Sequence, residues 1–309
     1  MLNWTPTQRN VVFASFASWT LDAFDFFILV FVLSDLAHYF HSSVSEVLLA
    51  IMLTLAVRPI GALLFGRLAE RYGRKPILLL PFIYFKVPES PVWLAARQHK
   101  TSSALMPIIR QHWKICLYMV LLIACFNFFS HGTQDLYPTF LKVQHQFDAH
   151  TVSLIAIGYN IAAMLGGICF GSLSERISRE KAIILASLLT LPIFPLWAFS
   201  CGSWAIGISA FLMQFMVQGA WGVVPNYLTE LVPANARAVL PGFVYQLGNL
   251  IASVNATLQS RIEEAHGGNY GLGMAIVAGT VAVLISLLVA FGRETRGIEI
   301  SGAVDREPD

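Results

Sequence analysis

Long apolar segments, separated by short charged or polar stretches, run along almost the whole chain. A bilayer core takes about 20 apolar residues per helix, and eight segments approach or exceed that length. They cover residues 11–33, 47–65, 115–137, 152–170, 182–199, 204–227, 239–258 and 272–291. The first is too long for the core of a signal peptide, and no small-residue cleavage site follows it. The pattern predicts an all-α membrane protein with about eight transmembrane helices.

One further apolar segment, residues 77–87, is too short to cross a membrane alone. As a helix it would rise only about 16 Å, roughly half of the hydrocarbon thickness. We expect it to lie at the membrane interface or to fold back as a re-entrant segment against the helices.

The composition agrees with a lipid environment. Hydrophobic residues make up 56% of the chain and charged residues only 12%, whereas soluble domains carry roughly 25% charged residues. The net charge is +2 without a long basic run, which argues against nucleic acid as a partner. The cysteines have no metal-ligand spacing and are interpreted as small buried hydrophobes, so no metal or cofactor is expected. They are Cys116, Cys125, Cys169 and Cys201.

The lysines and arginines predict an orientation. Basic residues follow the second, fourth, sixth and eighth apolar segments. These loops and both chain ends are therefore expected on the cytoplasmic side of a multi-pass protein in the inner or plasma membrane. Because the segment 77–87 then has cytoplasmic flanks on both sides, we expect no crossing between Gly66 and Lys114.

Two of the basic loops, residues 66–75 and 171–181, resemble each other. The first, Gly-Arg-Leu-Ala-Glu-Arg-Tyr-Gly-Arg-Lys, is similar to the loop signature of the major facilitator superfamily, with Glu70 where aspartate is usual. The resemblance implies a gating loop, whose charges hold one conformation and release in the other. Its residues are Gly66, Arg67, Glu70, Arg71, Gly73, Arg74 and Lys75. The simpler interpretation is a positively charged anchor.

A second pair of segments suggests an internal deletion. Residues 88–94 resemble the segment after the sixth helix of sugar-porter-like members of that superfamily, and residues 294–297 resemble its counterpart after the twelfth. The first half is shorter by about 100 residues, which is the length of four helices with their loops. The resemblance thus implies a twelve-helix transporter without its third to sixth helices. The expected parts are an incomplete N-terminal bundle, a central cytoplasmic loop, a six-helix bundle and a cytoplasmic tail, at residues 1–87, 88–113, 114–292 and 293–309.

The third predicted helix carries a polar stripe. Asn127, His131, Asp135 and Thr139 follow one another at intervals of four residues, and Gln134 lies on nearly the same face. A membrane helix keeps such a stripe only against a cavity or other protein. Histidine also changes its charge near neutral pH, with an unperturbed pKa of about 6.5.

The stripe is part of a longer motif. Residues 127–139 resemble, at every fixed position, the pattern N-x-x-[ST]-H-x-[ST]-Q-D-x-x-x-T of lactate and short monocarboxylate:proton symporters, which are grouped with the sialate:proton symporters. The resemblance implies that His131 and Asp135 govern proton coupling and substrate binding. It assigns the shape of the polar pocket to Asn127, Ser130, Thr133, Gln134 and Thr139. The alternative is a structural polar cluster in which His131 simply bonds Asp135.

Other polar residues inside the apolar segments are weaker candidates. Asp22 and Asp25 share a face of the first helix, where they suit either a proton relay or structural pairing with Arg58. Arg58 itself suits an anchor or gate better than attraction of an anionic substrate. Gln246 and Asn249 suit substrate contact or, more commonly, hydrogen bonds between helices.

These observations together predict proton-coupled transport of a small organic anion, such as lactate or a sugar acid, by alternating access. The expected partners are that anion, protons and the lipid bilayer. No enzyme motif is present. The alternative is a truncated remnant that does not transport. An exposed stripe on the third helix would be costly in lipid, so we also expect self-association.

Overall fold

The computed structural model describes residues 6–72, 109–232 and 240–292. All regular secondary structure within these ranges is helical. The segment 77–87, most of the central loop and the tail lie outside the described residues, so the predictions about them remain predictions.

Two long helices come first, α1 (Pro6–Tyr39) and α2 (Val44–Tyr72). The remaining described chain begins with α3 (Trp113–Gln134), a helical turn (Tyr137–Thr139) and a π-helical turn (Phe140–Gln144). It continues with α4 (Ala149–Ile177), α5 (Arg179–Leu189), α6 (Phe194–Phe199), α7 (Ser203–Leu231), α8 (Leu240–Ala252), α9 (Asn255–Ala265) and α10 (Tyr270–Ala290).

Six apolar helical segments in the described part of the chain are long enough to cross a membrane. They are Val44–Gly61, Trp113–Gln144, Ala149–Ile177, Arg179–Phe199, Ser203–Leu231 and Tyr270–Ala290. They correspond to six of the eight predicted segments, and the all-helical membrane fold is confirmed. The first predicted segment lies within α1, where Ile28–Tyr39 counts as a shorter apolar helix.

The seventh predicted segment, residues 239–258, is not one continuous helix. It is broken at Ser253 and Val254 into α8 and α9. The Ser253 backbone N–H and hydroxyl both donate to the Leu250 carbonyl oxygen, at 3.4 and 2.7 Å. Such tight local bonds compete with the regular α-helical ladder, which accounts for the break.

The helix pair α4 and α7 forms the largest contact among the described helices. Glycines let the two backbones approach closely. A Cβ atom built on Gly222 would lie 2.9 Å from the Gly167 Cα atom, and one on Gly166 would lie 2.8 Å from the Phe215 carbonyl carbon. These glycines therefore set the helix spacing in the bundle.

Helix α3 packs against α7, α8 and α10, and α2 packs against α8 and α9. The N-terminal helices are also tied to the rest by polar contacts. Lys142 Nζ lies 3.1 Å from Asp35 Oδ2 and donates to the Phe31 carbonyl oxygen at 3.0 Å, and Ser45 Oγ donates to Glu264 at 2.8 Å. All of these contacts lie at the end opposite to the predicted cytoplasmic loops.

The prediction that the four cysteines are buried is confirmed for one of them and wrong for two. Cys116 is buried and Cys125 partly buried, but Cys169 and Cys201 are exposed on the surface of the chain. For a residue within a membrane helix, such as Cys169 on α4, exposure means contact with lipid or a neighbouring helix rather than water. An apolar thiol is therefore compatible with either side of the helix.

Asp148 caps the N-terminus of α4. Its carboxylate accepts bonds from the Thr151 hydroxyl at 2.6 Å and from the backbone N–H groups of His150 and Thr151 at 3.1 and 3.4 Å. The bond from the Thr151 hydroxyl, supported by the backbone bonds, lowers the pKa of the Asp148 carboxyl.

We expect Asp148→Ala to lower the thermal unfolding temperature at pH 7 and to have little effect at about pH 2.5. A lowered folded pKa stabilises the fold above the pKa of the unfolded chain, about 3.9, and this contribution is lost as the pH falls through the folded pKa. Thermal unfolding in detergent at both pH values measures it. Asp148→Asn, which caps without titrating, is the control, and an equal loss at both pH values would contradict the prediction.

Candidate functional site

The polar stripe of α3 is held mainly in the interior of the chain. His131 Nδ1 lies 3.1 Å from Asp135 Oδ1, and the two side chains are 19% and 2% exposed. The helical register continues past the end of α3, because the Asp135 N–H donates to the His131 carbonyl oxygen at 2.9 Å. Asn127 and Thr139, the outer members of the stripe, are both buried. The stripe is therefore covered by protein, as expected for polar groups on a membrane helix, and self-association stays a prediction.

Glutamines of α7 flank the stripe on one side. Gln214 Nε2 donates to Thr133 Oγ1 at 3.0 Å, and Gln134 Nε2 donates to Gln214 Oε1 at 3.0 Å. Gln218 Nε2 donates to Ser130 Oγ at 2.9 Å, and Gln134 Nε2 reaches the same hydroxyl at 3.3 Å. Three motif residues are thus joined in one network with α7. The sequence analysis did not predict this pairing, because the partners are about 80 residues apart along the chain.

Amides of α9 lie near the same helix. Gln259 Nε2 donates to the Gly132 carbonyl oxygen at 2.9 Å. A Cβ atom on Gly132 would lie 3.6 and 3.7 Å from Asn255 Nδ2 and Oδ1. Gln259 was missed from the sequence, although its position four residues after Asn255 is a helical spacing that places both amides on one face.

Aromatic side chains line the end of the stripe. The Tyr137 ring stacks on Trp197 with 5.0 Å between centroids and meets the Tyr159 ring edge-on at 6.1 Å. All three rings are buried. Tyr137 follows Asp135 by two residues, so this buried aromatic cluster begins next to the acid of the stripe. The sequence motif leaves the positions of these rings unassigned, so only the packing identifies them.

The structure describes the weaker site candidates from the sequence less completely than the stripe. Asp22 and Asp25 lie on α1, but their side chains are outside the described part of the structure. Arg58 lies partly buried on α2, directly before Pro59. Asn249 is buried and donates to Gln246 Oε1 at 3.2 Å. The two amides of α8 therefore bond each other, and their predicted contact with substrate stays a prediction.

The gating loop is described only in part. Its first residues, Gly66, Arg67, Glu70 and Arg71, lie on the last turns of α2 with undescribed side chains, and residues 73–75 lie outside the described ranges.

The related loop of the second half is described in full and forms a charge network. Arg179 Nη1 contacts Glu175 Oε1 at 2.8 Å and Ser174 Oγ at 2.7 Å, and Arg179 Nε donates to Glu230 Oε1 at 3.2 Å. This network joins the ends of α4, α5 and α7, as expected of a structure that locks one conformation.

Within the described residues, no group of three histidine, cysteine, aspartate or glutamate side chains has the geometry of a metal site. The polar groups around α3 are instead arranged around a buried acid and a histidine, with neutral amides on both flanks. Such a site suits a small polar ligand and an exchangeable proton.

Comparison with known sequences decides the family. The sequence profile of the Major Facilitator Superfamily matches residues 77–256 and 117–305. The chain belongs to the Major Facilitator Superfamily. No solved structure matches it.

Relatives in this superfamily are named as transporters of organic acids. The carboxylic acid transporter protein homolog of Saccharomyces cerevisiae is 32% identical over 211 residues, 63% of this chain and 34% of the yeast protein. The sialic acid transporter NanX of Escherichia coli is 29% identical over 250 residues, 75% of this chain and 59% of NanX. The cis,cis-muconate transport protein of Acinetobacter baylyi is 23% identical over 211 residues, 65% of this chain and 51% of that protein.

These matches agree with the prediction of a transporter rather than an enzyme, because the matched relatives are named as transport proteins. The aligned part spans less than two thirds of each relative, 34% of the yeast protein and 59% of NanX. This partial coverage fits the shortened form of the Major Facilitator fold that the spacing of the loop motifs predicts.

Proposed function

We propose that the chain transports small organic anions together with protons, by alternating access around the polar site on α3. The observation that carries the proposal is the buried pair of His131 and Asp135, with 3.1 Å between Nδ1 and Oδ1. A carboxylate at 2% exposure is stable in such a place only when it is paired or protonated. A proton that joins or leaves this pair therefore changes how well the buried site accommodates it, which couples proton transfer to a change in the protein around the pair.

The pair also suits the chemistry of an anionic substrate. When both groups are protonated the site is cationic and attracts a carboxylate, and when the proton leaves the attraction is lost. Carrying one proton with one monovalent anion moves no net charge, whereas a lone charge would face about 2.3 kcal/mol per 100 mV of membrane potential. The amides and hydroxyls contributed by Ser130, Thr133 and Gln134 supply neutral hydrogen-bonding groups beside the pair.

The names of the relatives support organic acids as the substrate class. The yeast, Escherichia coli and Acinetobacter proteins carry carboxylic acid, sialic acid and muconate in their names. Each of these compounds bears a carboxylate at neutral pH. We therefore assign this chain small carboxylates, of which lactate and sialate are the first to test, at the cell membrane with both ends cytoplasmic.

The test is uptake into proteoliposomes at neutral and acidic external pH. We expect lactate or sialate uptake to rise with external acidity and to fall to the level of protein-free liposomes in His131→Ala, since the site then loses the partner of Asp135. His150→Gln, an exposed histidine at the start of α4, is the matched control. Uptake by the unaltered chain that does not depend on the pH gradient would overturn proton coupling.

A second candidate function is that of a non-transporting remnant. One observation favours it: the aligned part covers only 34% of the yeast protein and 59% of NanX. Alternating access needs two complementary helix bundles around the site. Absence of uptake of any tested acid, from protein shown to be inserted in the membrane, would support the remnant.

A further inference from the structure

The break between α8 and α9 lies beside the candidate site. Ser253 and Val254 separate the two helices, and Asn255 opens the second of them. A helix interrupted at membrane depth is tolerated where its freed polar groups meet protein or a polar cavity. Discontinuous helices of this kind form substrate sites in many secondary transporters.

The amides next to the break are buried without sufficient partners. Asn255 is 1% exposed and Gln259 is 0% exposed. Within the described structure, neither Asn255 Nδ2 nor Asn255 Oδ1 has a hydrogen-bond partner, and Gln259 Oε1 has none. A buried polar group left unpaired costs about 1–3 kcal/mol. Three such atoms on adjacent turns indicate a ligand position rather than a packing role.

These atoms lie next to the acid and histidine pair. Gln259 donates to the carbonyl oxygen of Gly132, the residue that follows His131, at 2.9 Å. Both amides approach the same glycine closely, since a Cβ atom there would lie 3.1 Å from Gln259 Nε2 and 3.6 Å from Asn255 Nδ2. Asn127 Nδ2, one turn before His131 on α3, is likewise buried without a partner among the described residues.

The free atoms match the hydrogen-bonding needs of a hydroxyl group. Asn255 offers both a donor and an acceptor, and Gln259 offers an acceptor. A hydroxyl group both donates and accepts, so it can pair with both ends of such a site. A carboxylate only accepts and would leave the oxygens unpaired, and two neutral oxygens are too few ligands for a bare cation.

We propose that Asn255 and Gln259 form a hydroxyl-binding subsite, which makes hydroxylated carboxylates the preferred substrates of this chain. This proposal rests on the proposed function, because the carboxylate of the same molecule is held near His131 and Asp135. The subsite selects acids with a hydroxyl group over acids of the same length without one. A site of this kind binds the acid without the hydroxyl group more weakly, because the polar atoms of the site then stay unpaired.

The test compares binding of two acids that differ by one hydroxyl, lactate and propionate, as radiolabelled ligands to the purified full chain in nanodiscs. We expect the unaltered chain to bind lactate about tenfold more tightly than propionate. In Asn255→Leu and in Gln259→Leu the ratio falls to about one, with propionate binding retained. Asn226→Leu, which changes an exposed amide on α7, is the control and keeps the ratio of the unaltered chain.

The outcomes distinguish failure of the hydroxyl-binding subsite from failure of the proposed transport function. An unaltered chain that binds both acids equally overturns the subsite and leaves acid transport standing. An unaltered chain that binds neither of these acids, nor gluconate and hexanoate as a longer pair, overturns the proposed function and the subsite with it. Thermal unfolding of the leucine variants reports on folding. A folded variant that loses both acids equally, or keeps the selectivity, also overturns the subsite.

Discussion

Replacing Asp135 with asparagine is expected to abolish proton-driven accumulation of acid while exchange of acid across the membrane persists. In the unaltered chain His131 Nδ1 lies 3.1 Å from Asp135 Oδ1. Asparagine has nearly the same shape as aspartate, and its side-chain oxygen can accept a bond from the same nitrogen. It cannot take up a proton at physiological pH. The variant therefore separates binding and movement of the anion from coupling to the proton.

The expected size of the loss in accumulation follows from the imposed pH gradient. In electroneutral symport of one proton, a difference of one pH unit supports about tenfold accumulation, the equivalent of 1.36 kcal/mol. Asp135→Asn should lower this ratio to about one. Accumulation is measured in proteoliposomes with an imposed pH gradient, and exchange is measured by counterflow from vesicles preloaded with unlabelled acid.

The control for this experiment is Asp148→Asn, the same chemical change at an exposed helix cap. It should accumulate acid as the unaltered chain does. A variant at Asp135 with undiminished accumulation would show that the proton is carried elsewhere, with Asp22 and Asp25 on α1 as the next residues to test.

Replacing Gly166 with alanine is expected to destabilise the bundle by at least about 2 kcal/mol, the usual scale of overpacking. The added Cβ would overlap the carbonyl group of Phe215 on α7. Since the overlap is with backbone, a change of side-chain rotamer cannot relieve it. The two helices must move apart, and the contacts along α4 and α7 weaken together.

The matched control is Gly158→Ala, on the same helix. A Cβ atom there meets nothing within 4 Å, and alanine is favoured over glycine inside a helix by roughly 0.5–1 kcal/mol. Thermal unfolding in detergent should give a loss of about 5 °C or more for Gly166→Ala and no loss for Gly158→Ala. Similar stabilities for both variants would contradict the close packing of α4 against α7.

Much of the fold follows from the sequence because membrane helices are local structures. Continuous apolar segments of sufficient length must satisfy their own backbone hydrogen bonds and therefore become helices. Six of the eight predicted segments are spanning helices in the described residues. The segment 239–258 failed as a single helix because hydropathy does not register Ser253, whose hydroxyl bonds to the backbone and interrupts the ladder.

The candidate site, like the fold, could be predicted from the sequence only in part. Helical periodicity alone places Asn127, His131 and Asp135 on one face, and the motif that contains them resembles that of organic acid transporters. The contact between His131 and Asp135 was open to a transport role or a structural one. The uptake experiments with His131→Ala and Asp135→Asn distinguish these two roles.

The sequence by itself determined the membrane class, the family and the polar stripe, since each depends on residues that are close along the chain. Only the tertiary structure brought Gln214 to Thr133, Gln259 to Gly132 and Trp197 to Tyr137. These partners are far apart in sequence and meet only where helices cross. Helix crossings are decided by the packing of small residues and by the satisfaction of buried polar groups in three dimensions, which a pattern read along one chain does not contain.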